Sequence, residues 1–222
     1  MHQPETPNKQ GFSPLIPIAI LFCLIICYGV VLFLYGNKAL PYAQIIILFL
    51  PALLLLKTRG HCKKSLIKVN AEMLGQAFLL TLPFSLFANT LIQIISDYLI
   101  SHLIVPLDFA EMMQDLFHLN QPFGIGIDLL LLAVLPALCE EMLFRGYLHT
   151  ELRAHLKPKA TIILTATLFA LYHMNPFFFL FYLVLGLVFG WLREKHQSLL
   201  APMMAHFTNN VVAVLWMHYV AG

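Results

Sequence analysis

The sequence predicts an all-α fold, a polytopic membrane bundle of about seven to eight transmembrane helices. Three observations predict it. Hydrophobic residues make up 60% of the chain and charged ones only 11%, where an average soluble domain carries about 25% charged residues. Seven apolar blocks stand at 15–35, 42–56, 71–105, 125–152, 160–175, 177–193 and 199–220, and about 20 such residues cross a bilayer as a helix. Threading them alternately puts 12 of the 13 Lys and Arg on one side, as the positive-inside bias requires.

Residues 1–13 read as a polar tail and 14–222 as a single transmembrane domain, with the functional core at 125–215. The first block is longer than a signal-peptide core and lacks a small-residue cleavage site, so it reads as a retained span. The second, fifth and sixth blocks are short and fit a thinned or water-filled region. The third is too long for one crossing. It is tilted, extended into water, or broken near Pro83, and splitting it into two spans would spoil the charge agreement. With a cytoplasmic N-terminus the inner segments carry Lys9; Lys57, Arg59, Lys63, Lys64 and Lys68; Arg153, Lys157 and Lys159; and Arg193 and Lys195. Arg145 lies on the inner half of the fourth span, and only Lys38 falls outside. The outer loop at 106–124 contains Asp108, Glu111 and Asp115 and no Lys or Arg. This places the chain in a membrane, expected to be the plasma (inner) membrane, with the lipid bilayer as its first partner.

The net charge of +2 is scattered, which argues against nucleic acid as a partner. Cys23, Cys27, Cys62 and Cys139 form no C-x-x-C pair, so neither a disulfide framework nor a cysteine zinc site is indicated. The basic loop 57–68 reads as a topology determinant attracted to anionic lipid. His61, His102, His118, His149, His155, His196 and His218 lie mostly in loops or near helix ends and read as non-catalytic. The run Phe177-Phe178-Phe179 reads as lipid-facing or packing, or as the wall of a groove beside His173.

The fourth block holds Glu140, Glu141 and Arg145 within six residues. A charge at the centre of a membrane helix costs about 2.5–3.5 kcal/mol and usually marks function. Glu141 and Arg145 stand at i and i+4 in the favourable order for an ion pair. Glu140 is turned about 100° away and can face another partner. The end of a helix at the interface would account for these charges alone, but the helical pattern continues through Tyr147 and Leu152. His173 in the fifth block, and His206 with Asn210 on one face of the seventh, lie at matching depths of about 10–20 Å at 1.5 Å per residue.

Hydrolysis of an amide needs a base to activate water and donors for the oxyanion. A carboxylate, two imidazoles and a carboxamide supply both. Glu140, His173 and His206 would also be acceptable zinc ligands, though the H-E-x-x-H motif of zinc proteases is absent.

Glu140-Glu141-Met-Leu-Phe-Arg145, Phe169-Ala-Leu-Tyr-His173 and His206-Phe-Thr-Asn-Asn210 resemble the E-E-x-x-x-R, F-x-x-x-H and H-x-x-x-N motifs of one family. It is the CAAX-protease and bacteriocin-processing family, whose best-known members are the Ras-converting CAAX prenyl endopeptidases. The resemblance covers residues 125–215. It implies an intramembrane endopeptidase with Glu140 as general base and His173 sharing the water. His206 and Asn210 would form the oxyanion site, with Glu141, Arg145 and Phe169 in support. Members have been classed as metalloproteases, yet a metal-free glutamate mechanism is expected here, with no cofactor and zinc as the alternative. The substrate would be a membrane-associated peptide or protein, prenylated in the eukaryotic relatives. The family fold has eight membrane helices, one more than counted here.

G-x-S-G and H-E-x-x-H, which other intramembrane proteases need, are absent; Gly124-Ile-Gly126-Ile-Asp128 puts the acid one residue too late for G-x-G-D. The alternative reading is a non-enzymatic protein, a bacteriocin-immunity factor or small transporter with Glu and His in a proton relay.

Overall fold

A computed structural model describes residues 13–36, 39–58, 69–102 and 124–220. Among them every element is a helix. Helices α1 (Leu15–Tyr35), α2 (Leu40–Thr58) and α3 (Ala71–Ser101) precede α4 (residues 125–153), α5 (Pro158–Tyr172), α6 (Phe179–His196) and α7 (Leu200–Tyr219). Each apolar block of the sequence thus holds one helix. The tail at 1–12, Lys38, the basic loop at 59–68 with His61 and Cys62, and the acidic stretch at 106–123 with His118 lie outside the described residues.

Helix α3 continues through Pro83 without a break. Its 31 residues span about 46 Å at 1.5 Å each, more than the roughly 30 Å hydrocarbon core. Residues Leu15–Tyr35, Leu40–Thr58 and Ala71–Ile95 have the length and hydropathy to cross a membrane, and Pro158–Tyr172 is a shorter apolar helix. Large apolar side chains such as Phe33, Leu34, Ile26 and Leu79 stand exposed along the first and third of these. Such a surface is stable against lipid and not against water.

Local sequence explains the helix irregularities. The π-helical turns Gln44–Phe49 and Leu129–Val134 come just before Pro51 and Pro136. Proline lacks the N–H for an i→i−4 bond and its ring crowds the carbonyl four residues back; widening the preceding turn relieves both. A third π-helical turn, Met142–Leu148, has no proline behind it and directly follows Glu140 and Glu141. Helix α5 starts on Pro158 at its first position, where the missing N–H costs nothing. Helix α6 ends on Arg193, Lys195 and His196, which complement the negative end of its dipole.

The core runs through α4, from Leu143, Phe144 and Leu148 to Phe169 of α5 and Phe189 and Leu192 of α6. Helices α5 and α6 approach closely because Gly186 and Gly190 face Ala166 and Ile162: a Cβ on Gly186 would lie 2.9 Å from the Ala166 Cα. Small residues four apart let membrane helices pack backbone to backbone. Helix α7 packs against α3, α4 and α6. Leu56 of α2 and Leu199 ahead of α7 both reach Gly146, and Lys195 bonds Gln76 of α3. One end of the bundle therefore gathers Lys57, Arg153, Lys195 and their neighbours.

Candidate active site

Glu140 and Glu141 sit midway along α4, in the heart of the bundle. Glu141 and Arg145 are fully buried and joined by a 2.9 Å ion pair between Oε1 and Nη1. The other arm of the guanidinium donates to the Gly186 carbonyl at 3.0 Å. Its face lies 4.5 Å from the Phe169 ring centre and 5.2 Å from that of Phe189. The buried cation is thus met by a carboxylate, a carbonyl and aromatic faces, which a desolvated guanidinium requires.

His206 brings the third helix in. Its Nδ1 lies 3.0 Å from Glu141 Oε1, and its Nε2 lies 3.9 Å from Glu140 Oε2. The two neighbouring carboxylates therefore face the two nitrogens of one imidazole. Glu140 Oε2 is buried and has no hydrogen-bond partner among the described residues. Asn210 lies one turn beyond His206 in α7, and its Oδ1 accepts from Asn209 Nδ2 at 3.1 Å. Asn209 in turn accepts from Ser85 Oγ of α3 at 2.9 Å.

His173 follows the last residue of α5 and does not lie within the helix, because α5 ends at Tyr172. Its Nδ1 donates to the Phe169 carbonyl at 2.8 Å, which leaves Nε2 as the acceptor. Its ring stacks on Tyr182 with centroids 3.8 Å apart. Phe169 is wedged between the two histidines, at 4.7 Å from His173 and 5.8 Å from His206. The structure so gathers Glu140, Glu141, Arg145, Phe169 and His206 into one contact network, with His173 and Asn210 joined at its edges through Phe169 and α7.

Several members have no counterpart in the sequence motifs. Tyr28, Tyr172 and Gln44 are buried in the same core as Glu140. The rings of Tyr28 and Tyr172 are 5.7 Å apart. Ser85, Asn209 and Gly186 also fall outside the motif positions; the Asn209-Asn210 doublet and the polar Ser85 beside Pro83 are the only hints in the sequence. Two histidines read as non-catalytic prove to be paired with carboxylates away from this site: His149 with Glu194 and His218 with Asp128.

Among the described residues no three His, Cys, Asp or Glu side chains are grouped to hold a metal ion. As arranged, Glu140, His173 and His206 do not form a ligand set.

The segment that carries the three motifs also resembles a known family. Residues 122–212 match the sequence model of the family described as "Type II CAAX prenyl endopeptidase Rce1-like". This segment is Rce1-like. It covers α4, α5, α6 and α7 as far as Val212, and includes every candidate site residue read from the motifs. The match takes in less than half of the chain, and helices α1 to α3 lie outside it. No curated protein and no solved structure matches the chain. The apolar helices support a membrane protein, and the segment 122–212 is similar to the Rce1-like family of type II CAAX prenyl endopeptidases.

Proposed function

We propose that the protein is an intramembrane endopeptidase that hydrolyses a peptide bond near the C-terminus of a membrane-anchored, prenylated substrate. One observation carries the reading. Glu141 Oε1 takes both Arg145 and His206 Nδ1, while Glu140 Oε2 faces His206 Nε2 across 3.9 Å with no partner of its own. One carboxylate is thereby committed to structure and its neighbour stays available for chemistry.

A gap of that width accommodates one water bridging the carboxylate and the imidazole. Glu140 takes a proton from this water, and the acceptor Nε2 of His173 helps orient it. The resulting hydroxide attacks the carbonyl carbon. His206, held by Glu141 at Nδ1, presents Nε2 to the oxyanion. Asn210 donates from Nδ2, since its Oδ1 is engaged by Asn209. Glu140 then returns the proton to the departing amine nitrogen as the C–N bond breaks. The basic end of the bundle faces the cytoplasm in this reading, and the plasma membrane is the expected location.

The test is cleavage of a quenched farnesylated C-terminal CAAX peptide by purified protein in detergent, with and without chelator. Activity lost in Glu140→Gln and His173→Ala but kept with chelator supports the glutamate mechanism. Loss with chelator and recovery with zinc would move these residues to a ligand role. Cleavage unchanged in both variants would sink the assignment.

A further inference from the structure

A pocket of about 170 Å³ opens at the basic end, between the last turns of α4 and α6, lined by His149, Thr150, Arg153, Arg193, Glu194 and Gln197. It lies apart from the site above and takes no part in its chemistry. Two guanidinium groups line it against one carboxylate, and that carboxylate is already committed. Glu194 Oε1 pairs with Arg153 Nε at 2.6 Å and with His149 Nε2 at 3.0 Å, and Oε2 meets Gln197 Nε2 at 3.4 Å. Arg153 also donates from Nη1 to the Leu156 carbonyl at 2.7 Å.

Arg193 is different. It is only 7% exposed, and its Nε donates to the Arg145 carbonyl at 3.3 Å. Its two Nη groups have no hydrogen-bond partner among the described residues, although the side chain lines the pocket. Its Nη groups are not sealed from solvent and open into the pocket, where they are available to an anion. The fork presents parallel donors at the spacing of phosphate oxygens. Thr150 Oγ1, buried and without a partner in the same lining, adds a hydroxyl donor.

The surroundings favour phosphate. Lys195 sits 4.7 Å over the Trp191 ring on the same end of α6, an aromatic and basic pair of the kind that marks the membrane interface. Lys157 and Lys159 are exposed nearby at the start of α5. Phosphate can reach this end either from a lipid headgroup or from the water.

We propose that this pocket is a phosphate-binding site, with the Arg193 fork as the bidentate anchor and Arg153 and Thr150 as further donors. The proposal does not rest on the hydrolase reading. The test is calorimetric titration of the purified full chain in detergent with short-chain phosphatidylglycerol and, separately, with inorganic phosphate. Binding at least about tenfold weaker in Arg193→Gln and Arg153→Gln is expected, equivalent to about 1.4 kcal/mol. The exposed Lys159→Gln control should change it by less than about twofold. Binding of the lipid alone identifies a headgroup site, and binding of both a site for the phosphate itself; either upholds the proposal. Absence of binding in the wild type, or equal loss in Lys159→Gln, overturns it. Thermal unfolding checks that Arg193→Gln is folded, and the half-exposed Arg153 supplies a variant less able to disturb the core.

Discussion

His206 Nδ1 and Arg145 Nη1 converge on a single oxygen, Oε1 of Glu141, at 3.0 and 2.9 Å. That oxygen ties α7 to α4 at the depth of the site, and through Arg145 it reaches the Gly186 carbonyl of α6. Glu141 therefore acts as the fastening point of three helices, while Glu140 beside it is not tied down by α7.

Glu141→Ala strands a buried guanidinium, and stability is expected to fall by about 3–5 kcal/mol. Glu141→Leu combined with Arg145→Leu removes both charges and should recover much of that loss without restoring hydrolysis. Thermal unfolding in detergent reads the first effect and peptide cleavage the second. A Glu141→Ala protein that melts with the wild type would contradict the role given to this oxygen.

Phe169 backs both histidines and the Arg145 cation. Phe169→Leu keeps an apolar side chain but loses the ring contacts, worth about 1–3 kcal/mol in total. The turnover rate should fall by a larger factor than the melting shift suggests, because His173 and His206 lose their common wedge. Equal melting and equal kcat would show that the ring is only filler.

At Gly186 the neighbour is backbone, since a Cβ added there would lie 2.9 Å from the Ala166 Cα, whereas at Gly190 it is the Ile162 Cγ2 at 3.1 Å. A side-chain tip can move and a helix backbone cannot. Gly186→Val is expected to cost about 1–3 kcal/mol by overpacking, and to weaken the Arg145 bond as α6 is pushed away. Gly190→Ala should be milder. The reverse order in unfolding temperature would refute this account of how α5 and α6 meet.

Ser85→Ala leaves the buried Asn209 carboxamide without its donor, at a cost of about 1–3 kcal/mol. Because Asn209 positions Asn210, kcat should drop with KM little changed, and Ser85→Thr should restore it. A change confined to KM would place Asn210 in substrate binding and not in stabilising the transition state.

Much of this was legible in one dimension. A block of apolar residues about one bilayer long becomes a helix because the backbone must satisfy its own hydrogen bonds in lipid, so the helices among the described residues stand where the hydropathy puts them. The overlong block at 71–105 proves continuous through Pro83 as far as Ser101. The i, i+4 spacing of Glu141 and Arg145 also sufficed for their ion pair, since both partners lie on one turn of one helix.

Tertiary structure decided what no local period encodes: which face of each helix meets which neighbour. Periodicity gives His206 and Asn210 a common face, but not that Nδ1 of His206 would land on Glu141 and leave Nε2 to Glu140. Nor does it set Tyr28 against Tyr172, or assign Ser85 to an asparagine 124 residues away. The sequence by itself determined the helices among the described residues and their order. The pairing of the polar groups depended on how closely α5 and α6 could approach at Gly186 and how the turn at Met142–Leu148 widened, because contacts between helices follow from packed shape and not from spacing along the chain.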